Sequence, residues 1–195
     1  VKRLTRHPLF SMQHPNKVRA LIGVFATGNA MQFNRPDGLG YDFVAERAEA
    51  VAEEIRALGV PALAVPFDVC DLEAAKSANA AITAKLGPAT ILVNNAGMAG
   101  PTGLLRPMQN FWEEDPANWP RYLGTNLYGV YNCCFAFIPN MVAAKRGRIV
   151  TIVSDSGRIG EPKLAVYASA KAGAQGFVRS IAKELGRYGV TSNAV

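Results

Sequence analysis

Two side chains near the end of the sequence have the types and the spacing of a proton-transfer pair. Tyr167 and Lys171 are four residues apart, with the small residues Ala168, Ser169 and Ala170 between them. Within a helix this spacing places both side chains on one face, one turn apart. A free phenol exchanges protons slowly at neutral pH, and a fixed ammonium group beside it favours the phenolate. The pair therefore suits general acid–base catalysis, although the same spacing also arises by chance in unrelated helices.

A hydroxyl group upstream of this pair is the third candidate. Ser154 directly follows the apolar run Ile149 to Val153, which predicts a buried strand. Ser154 then lies at the carboxyl end of that strand, the edge at which open α/β sheets bind ligands. We predict that Ser154 belongs to the same site and that its hydroxyl holds a substrate carbonyl.

The segments around these residues alternate between helical and strand patterns. Helices are predicted for Val44 to Leu58, Leu72 to Leu86, about Trp119 to Lys145, and Val166 to Arg187. Short apolar segments predict strands at Ala62 to Phe67, Thr90 to Val93, Ile149 to Val153, and Val190 to Val195. Buried strands that alternate with helices of this length imply a parallel sheet covered on both faces. The predicted fold is a single α/β domain with a doubly wound, Rossmann-like sheet.

The middle of the sequence holds the longest predicted helix and a Pro-rich loop before it. One apolar face of this helix is predicted to be core, with Leu123, Leu127, Val130, Cys134, Ile138 and Met141. Pro139 is expected to kink or shorten the last turns. The loop from Gly100 to Pro120 carries Trp112 and Trp119. These two aromatics either line a pocket or pack over the sheet, and the sequence leaves both readings open.

Several ordered landmarks from about Val44 onward resemble the short-chain dehydrogenase/reductase family. The matching residues are Asn94-Asn95-Ala96-Gly97 after a strand, Asn126 in Thr125-Asn126-Leu127, Ser154, and Tyr167-x-x-x-Lys171. Asp68-Val69 matches the segment that meets the adenine ring in this family. The resemblance implies an NAD(P)-dependent oxidoreductase that interconverts a hydroxyl and a carbonyl by hydride transfer.

The resemblance also implies a role for each side chain. Tyr167 passes a proton to or from the substrate oxygen, and Ser154 orients that oxygen and stabilises its developing charge. Lys171 holds the nicotinamide ribose and favours the phenolate of Tyr167, while Asn126 anchors a water that links Lys171 to solvent. The residues expected to border the cofactor are Asp42, Asp68, Val69, Asn94, Ala96, Gly97, Tyr167 and Lys171. From the residues alone, Asn126 also fits a buried amide satisfied by backbone, and Asn94 to Gly97 also fits a tight turn.

The N-terminal part of the sequence departs from the family pattern. The family's first strand runs into a Thr-Gly-x-x-x-Gly-x-Gly turn, whose glycines let backbone amides approach the cofactor pyrophosphate. Here Thr27-Gly28 lacks glycines at that spacing. Asp42 stands where the family often carries a carboxylate that binds the adenosine ribose and favours NAD over NADP, and it equally suits a helix N-terminus.

We therefore expect the first β-α-β unit to be altered or missing. Residues 1–41 are predicted to form an atypical N-terminal segment with at most one strand, within Val18 to Ala26, and residues 42–195 the Rossmann-like domain. The family normally continues past Asn193-Ala194-Val195 into a Pro-Gly turn, a substrate lid, and a final strand and helix. A truncated or frame-shifted reading of a dehydrogenase gene explains both ends. The alternative function is accordingly a catalytically defective fragment or a non-catalytic assembly domain that binds no cofactor.

Composition argues against several other classes of protein. The formal charge is +6 and the isoelectric point is about 9.4, but no basic run interleaves with aromatics, so we predict no nucleic-acid partner. The three cysteines form no disulfide framework and have no metal-ligand spacing with His7 or His14, so we expect no metal and a reducing cytoplasm. No apolar run approaches the roughly 18 residues of a membrane helix, and no signal-peptide core follows the basic N-terminus.

The resemblance sets the expected partners. The expected substrate is a small alcohol or ketone, or an acyl thioester, and the expected cofactor is NAD or NADP, with NAD favoured by Asp42. The helices predicted at Trp119 to Lys145 and Val166 to Arg187 commonly form the oligomer interface in the family. A homo-oligomer, either a dimer or a tetramer, is therefore expected.

Overall fold

A computed structural model describes residues 22–24, 42–98 and 109–195, and within them one parallel sheet forms the centre of the fold. Its strands are β1 (Ile22–Val24), β2 (Ile91–Asn94), β3 (Gly147–Thr151) and β4 (Val190–Ala194), in the spatial order β1-β2-β3-β4. The register sets Asn94 opposite Thr151, and Thr151 opposite Ala194. The strands therefore end together at one carboxyl edge, and the predicted parallel α/β class is confirmed.

The helices alternate with the strands along the chain. They are α1 (Asp42–Ala57), α2 (Leu72–Leu86), α3 (Trp119–Leu123), α4 (Gly129–Ala143), α5 (Ser156–Ile159) and α6 (Ala165–Leu185). Helix α2 has the bounds predicted from the sequence, because Asp71 Oδ1 accepts the backbone N–H groups of Glu73 at 2.8 Å and Ala74 at 3.1 Å. Gly87, with φ at 84°, ends it.

The longest helical stretch is interrupted by a π turn. Residues Gly124–Tyr128 form this turn between α3 and α4, and α4 continues four residues past Pro139 to Ala143. Pro139 has no N–H to donate to the carbonyl one turn earlier. The side chain of Asn79 on α2 donates to Ala136 O at 2.9 Å and so ties this part of α4 to its neighbour. The stretch ends two residues short of the predicted Lys145.

The hydrophobic core lies between the sheet and the helices. Leu92 of β2 and Ile149 of β3 are wholly buried, and they belong to one cluster with Phe137 and Met141 of α4. Val130 and Cys134, predicted as core, are buried, while Leu127 and Ile138 are partly buried against the cluster. The amphipathic face predicted for the long helix therefore does pack against the sheet.

One predicted strand is wrong. Residues 62–67 form no strand, although Leu63, Val65 and Phe67 pack against the core. Among the described residues no strand runs alongside this segment, so its backbone has no neighbouring strand to bond. The apolar pattern predicted burial correctly, but burial alone does not supply a pairing partner.

Part of the predicted N-terminal region falls outside the described residues. The stretches 1–21, 25–41, which includes Thr27-Gly28, and 99–108 are not described. Strand β1 lies within the predicted Val18 to Ala26 strand and pairs with β2. In the described part of the chain, no helix has the length and apolar character needed to cross a membrane.

Candidate active site

The ammonium group of Lys171 lies at the carboxyl edge of the sheet. Lys171 is buried in α6, and its Nζ donates to the Ile152 carbonyl, just past β3, at 2.9 Å. The same Nζ is 5.9 Å from the centroid of the Tyr167 ring. Burial lowers the pKa of Lys171, and no carboxylate of the described residues forms an ion pair with it. The predicted Tyr167 and Lys171 pair therefore does share one face of a helix.

The π turn places Asn126 in the interior. Its Nδ2 donates to Met98 O at 2.8 Å and to Tyr122 O at 3.0 Å, and its Oδ1 accepts the Met98 N–H at 3.2 Å. The side chain is wholly buried, and backbone groups satisfy its amide as the simpler sequence reading expected. Insertions of this kind in a helix recur at functional sites because they redirect a side chain.

Gly97 connects the end of β2 to both of these side chains. A Cβ atom at Gly97 would lie 3.1 Å from Asn126 Oδ1 and 3.2 Å from Lys171 Nζ. Gly97 is not among the glycines with positive φ, so close approach, and not turn geometry, favours glycine here. Three elements thus converge on one point: the turn after β2, the π turn and α6.

A small cavity lies beside this point. Its volume is about 10 Å³, room for about one water molecule, and its lining includes Val69, Asn94, Ala96, Thr125 and Cys133. Asn94 Nδ2 donates to Thr151 Oγ1 at 3.1 Å, and the Asn94 Oδ1 is buried with no hydrogen-bond partner in the part of the chain that the structure describes. The predicted cofactor residues Val69, Asn94 and Ala96 are therefore neighbours in space.

Neither of the two predicted acidic residues is among the described residues that line that cavity. Asp68 is exposed, and its Oδ1 accepts the Cys70 N–H at 2.8 Å. Asp42 is the first residue of α1, as a helix N-terminal acid would be, and its side chain lies outside the described atoms. Neither carboxylate has a contact in the described structure that favours a cofactor role over a local one.

Ser154 is joined to a second hydroxyl that the sequence pattern did not single out. Ser154 Oγ is 2.8 Å from Ser156 Oγ and accepts the Ser156 N–H at 3.3 Å. A Cβ atom at Gly157 would lie 2.8 Å from the Ala172 nitrogen, so this turn sits against the backbone of α6. No periodicity in the sequence relates one hydroxyl to the other. A serine two residues after a strand-end serine is the only available signal.

Trp112 and Trp119, which the sequence placed in one Pro-rich loop, take different positions. Trp119 stacks on Phe111, with ring centroids 5.5 Å apart and planes 12° apart. Trp112 is 80% exposed. Trp119 therefore packs on a neighbouring aromatic, and within the described structure neither tryptophan lines the cavity beside Gly97.

Two of the three cysteines are buried free thiols. Burial is the main cause that raises the pKa of Cys133 and of Cys134 to about 12, so both thiols stay protonated at neutral pH. Cys70 is exposed, and partial burial and Asp68 raise its pKa. Among the described residues, no group of three or more His, Cys, Asp or Glu side chains could hold a metal ion.

The chain matches known proteins over most of its length. A family profile described as short chain dehydrogenase matches residues 37–195. A second profile, described as a domain of unknown function with ARM repeats, matches residues 1–54. The chain is 37% identical over 150 residues to the 3-oxoacyl-[acyl-carrier-protein] reductase FabG of Staphylococcus aureus, which covers 77% of this chain and 58% of that protein. The chain thus spans little more than half the length of this relative.

Two solved structures share the fold. A metagenomic short-chain oxidoreductase in complex with NADP is 32% identical, with a TM-score of 0.69 over 77% of this chain and 65% of that chain. An NAD+-bound xylitol dehydrogenase is 26% identical, with a TM-score of 0.71 over 76% of this chain and 55% of that chain. The profile match and the sequence identity lead to one conclusion: the chain belongs to the short chain dehydrogenase family.

Proposed function

We propose that this chain is an NAD(P)-dependent oxidoreductase that interconverts a hydroxyl and a carbonyl, with Tyr167 as the general acid and base. The observation that carries the proposal is the convergence of Lys171 Nζ, Asn126 Oδ1 and Gly97 beside the Tyr167 ring. The family membership and the NADP-bound and NAD+-bound relatives support the same chemistry.

The residues at this point fit a nicotinamide dinucleotide. An ammonium group has three donors, and Lys171 gives one to Ile152 O, so two remain for the hydroxyls of a ribose. Gly97 presents no side chain, so a ligand can approach the backbone after β2. The dinucleotide, when bound, supplies or accepts the hydride. Val69, Asn94 and Ala96 are proposed to border its adenosine part, together with Asp68 and Asp42.

We assign a separate role in proton transfer or charge stabilisation to each of four side chains. Tyr167 Oη gives a proton to the substrate oxygen during reduction and takes it back during oxidation. The Lys171 ammonium lies beside this group, 5.9 Å from the centroid of the Tyr167 ring. Ser154 Oγ donates to the substrate oxygen and stabilises its negative charge as the reaction proceeds. Asn126 Oδ1 accepts one bond from Met98 and has a second lone pair, which we assign to a water beside Lys171.

For the substrate we propose a 3-oxoacyl thioester. The support is the name of the FabG relative, a 3-oxoacyl-[acyl-carrier-protein] reductase at 37% identity. We also propose a cytoplasmic homo-oligomer, a dimer or a tetramer, with no nucleic-acid or membrane partner. The exposed aromatic side chains of Tyr128 and Phe135 support self-association, because they leave apolar surface on one helical stretch. Light scattering of the purified chain measures its mass directly.

Cofactor binding is the first test of the proposal. The 195-residue chain is titrated with NADH and, separately, with NADPH, while the nicotinamide fluorescence is followed. A saturable change with either cofactor is expected, and the ratio of the two dissociation constants decides between NAD and NADP. The absence of a saturable change with both would favour the alternative of a non-catalytic domain, which the missing glycine turn in the sequence supports.

Turnover is the second test. Acetoacetyl-coenzyme A serves as the thioester probe, and oxidation of NADH or NADPH is followed by absorbance. Tyr167→Phe keeps the ring and removes the transferable proton, so kcat should fall about 10²-fold to 10⁴-fold while the melting temperature is unchanged. Retained turnover in Tyr167→Phe would refute the assignment of Tyr167.

A further inference from the structure

The hydroxyl of Ser156 is buried and has one partner among the described residues, the hydroxyl of Ser154. Ser156 is 3% exposed, and its Oγ lies 2.8 Å from Ser154 Oγ. Its backbone N–H donates to the same oxygen at 3.3 Å. A buried hydroxyl cannot exchange its partner for bulk water, so it holds a defined orientation. Two groups of one residue therefore fix the position of Ser154 Oγ.

The surroundings hold Ser156 itself in place. It begins α5, and its carbonyl accepts the Gly160 N–H at 3.0 Å. The next residue, Gly157, has room for no side chain, because a Cβ atom there would lie 3.1 Å from Lys171 Cβ and 2.8 Å from the Ala172 nitrogen. Ser156 is thus anchored to the stretch of α6 that carries Lys171.

We propose that Ser156 is a positioning residue for Ser154, and this rests on the proposed function. The Ser156 O–H donates to Ser154 Oγ, and together with the Ser156 N–H it occupies both lone pairs of that oxygen. The single proton of Ser154 is then left for the substrate oxygen. In the opposite direction Ser154 Oγ would donate to Ser156 Oγ, and Ser154 would have no proton left to donate to the substrate oxygen. A chain of hydrogen bonds also polarises its members, which makes Ser154 a stronger donor.

A double-mutant cycle separates this role from a merely structural one. Ser156→Ala should lower kcat about five-fold to ten-fold, the effect of losing one hydrogen bond, with the dissociation constant for the cofactor unchanged. In a Ser154→Ala background the same change should have no further effect on kcat, because Ser156 acts through Ser154. Equal losses of kcat in both backgrounds would overturn the proposal, as would a Ser156→Ala chain with the original kcat.

Two further variants control for packing. Ser156→Thr keeps a hydroxyl on the same carbon, so it should restore most of the lost kcat. Ser180→Ala removes an exposed serine whose Oγ donates to Gly176 O on α6, and its kcat should not change. A loss in Ser156→Thr as large as that in Ser156→Ala would show that shape, and not the hydroxyl, matters.

A measurement without turnover tests the positioning directly. In isotope-labelled chain, the Hα–Hβ couplings of Ser154, assigned by comparison with Ser154→Ala, should show one rotamer, and those in Ser156→Ala should show averaging over several. An unchanged single rotamer in Ser156→Ala would refute the role of Ser156, whether or not the chain turns over. If turnover and cofactor binding are both absent while the rotamer changes as expected, the proposed function fails and the positioning stands.

Discussion

Lys171 is a charged side chain in the buried part of the fold. Its ammonium is buried, donates to Ile152 O, and has no carboxylate partner among the described residues. Burial lowers its pKa below 10.5, the value that applies in the unfolded chain. Burying this ammonium lowers the stability of the fold, and it also fixes a cation next to Tyr167. Functional sites often reduce stability in this way.

The stability of Lys171→Met relative to the original chain should depend on pH. Below the lowered folded pKa the ammonium is charged in both states, and its burial opposes folding. Between the lowered folded pKa and 10.5 only the unfolded chain holds the proton, so the original chain gains stability as the pH rises. Urea unfolding at pH 7 and pH 10 gives the unfolding free energy of the original chain minus that of Lys171→Met. This difference should be more favourable to the original chain at pH 10 than at pH 7. For Lys183→Met, an exposed position on α6, that difference should stay constant.

Equal shifts for Lys171→Met and Lys183→Met between the two pH values would contradict this account. A shift toward methionine at high pH would contradict it more strongly, because linkage fixes the sign once the direction of the pKa change is known.

A methyl group at Gly97 tests the convergence of the three elements. Asn126 is held by three hydrogen bonds, so Lys171 must give way to the Cβ of Gly97→Ala. The displaced ammonium should raise the dissociation constant for the cofactor about tenfold, or about 1.4 kcal/mol, and overpacking should destabilise the fold by roughly 1 kcal/mol. Fluorescence titration and urea unfolding measure the two effects.

Gly176→Ala is the matched control for Gly97→Ala. The Cβ at Gly176 would meet only an Arg179 side-chain nitrogen, at 3.9 Å, and alanine is the better helix former. Gly176→Ala should leave the cofactor affinity unchanged and the stability the same or higher. An affinity loss confined to Gly176→Ala, or no affinity loss at Gly97→Ala, would contradict the site geometry.

The sequence predicts individual residues only where a repeating geometry relates them. The helical period places Tyr167 and Lys171 on one face, and the end of an apolar run places Ser154 at the sheet edge. The roles of these residues remain predictions. Ser156 was missed because no period connects two hydroxyls across a strand end and a short helix. The hydrogen-bond partners of Asn126 could not be predicted either, because they depend on a π turn, which breaks the helical period.

At the scale of elements, hydrogen bonds between α2 and α4 support the helix around its proline. Asn79 Nδ2 donates to Ala136 O at 2.9 Å, and Asn140 Nδ2 lies 3.3 Å from both Asn79 Oδ1 and Thr83 Oγ1. The helix bonds to these side chains on both sides of Pro139. This network holds α4 against α2 on both sides of the proline, and α4 continues to Ala143.

Asn79→Ala should lower the unfolding free energy by about 1 to 2 kcal/mol, because it removes the bonds of Asn79 to Ala136 O and to Asn140 Nδ2, while Asn140 keeps its bond to Thr83. Urea unfolding with an unchanged m-value measures the loss. Ser77→Ala, at an exposed position of the same helix, should change the free energy by less than about 0.5 kcal/mol. Equal losses in the two variants would mean that the network does not hold α2 to α4.

The prediction of α2 was accurate because the helical period and the signals at both helix ends agree. The strand predicted at 62–67 was wrong because a strand depends on pairing with a neighbouring strand. The bounds of α2 follow from the Asp71 cap and from Gly87. The run from 62 to 67 is as apolar as a buried strand, yet a strand also needs a neighbour to bond. A single sequence does not specify that neighbour, whereas it does specify the amphipathic face of a helix.

At the scale of the whole molecule, the N-terminal segment adds to the sheet. Strand β1 lies within residues 1–41 and pairs with β2 from Ile22↔Leu92 to Val24↔Asn94. The family profile begins only at residue 37, and the other profile covers residues 1–54. We propose that residues 42–195 form the folding unit and that β1 protects an edge of its sheet.

Two shortened chains distinguish an edge strand from an essential one. A chain that begins at Asp42 lacks β1 and exposes β2 as an edge, so its melting temperature should fall by roughly 5 to 10 °C, as expected for a loss of 2 to 3 kcal/mol in a domain of this size, with one cooperative transition. A chain that begins at Ile22 keeps β1 and should melt like the full chain. Circular dichroism follows both. If the chain from Asp42 shows no cooperative transition while the chain from Ile22 does, β1 is part of the folding unit and that unit begins at β1, not at Asp42.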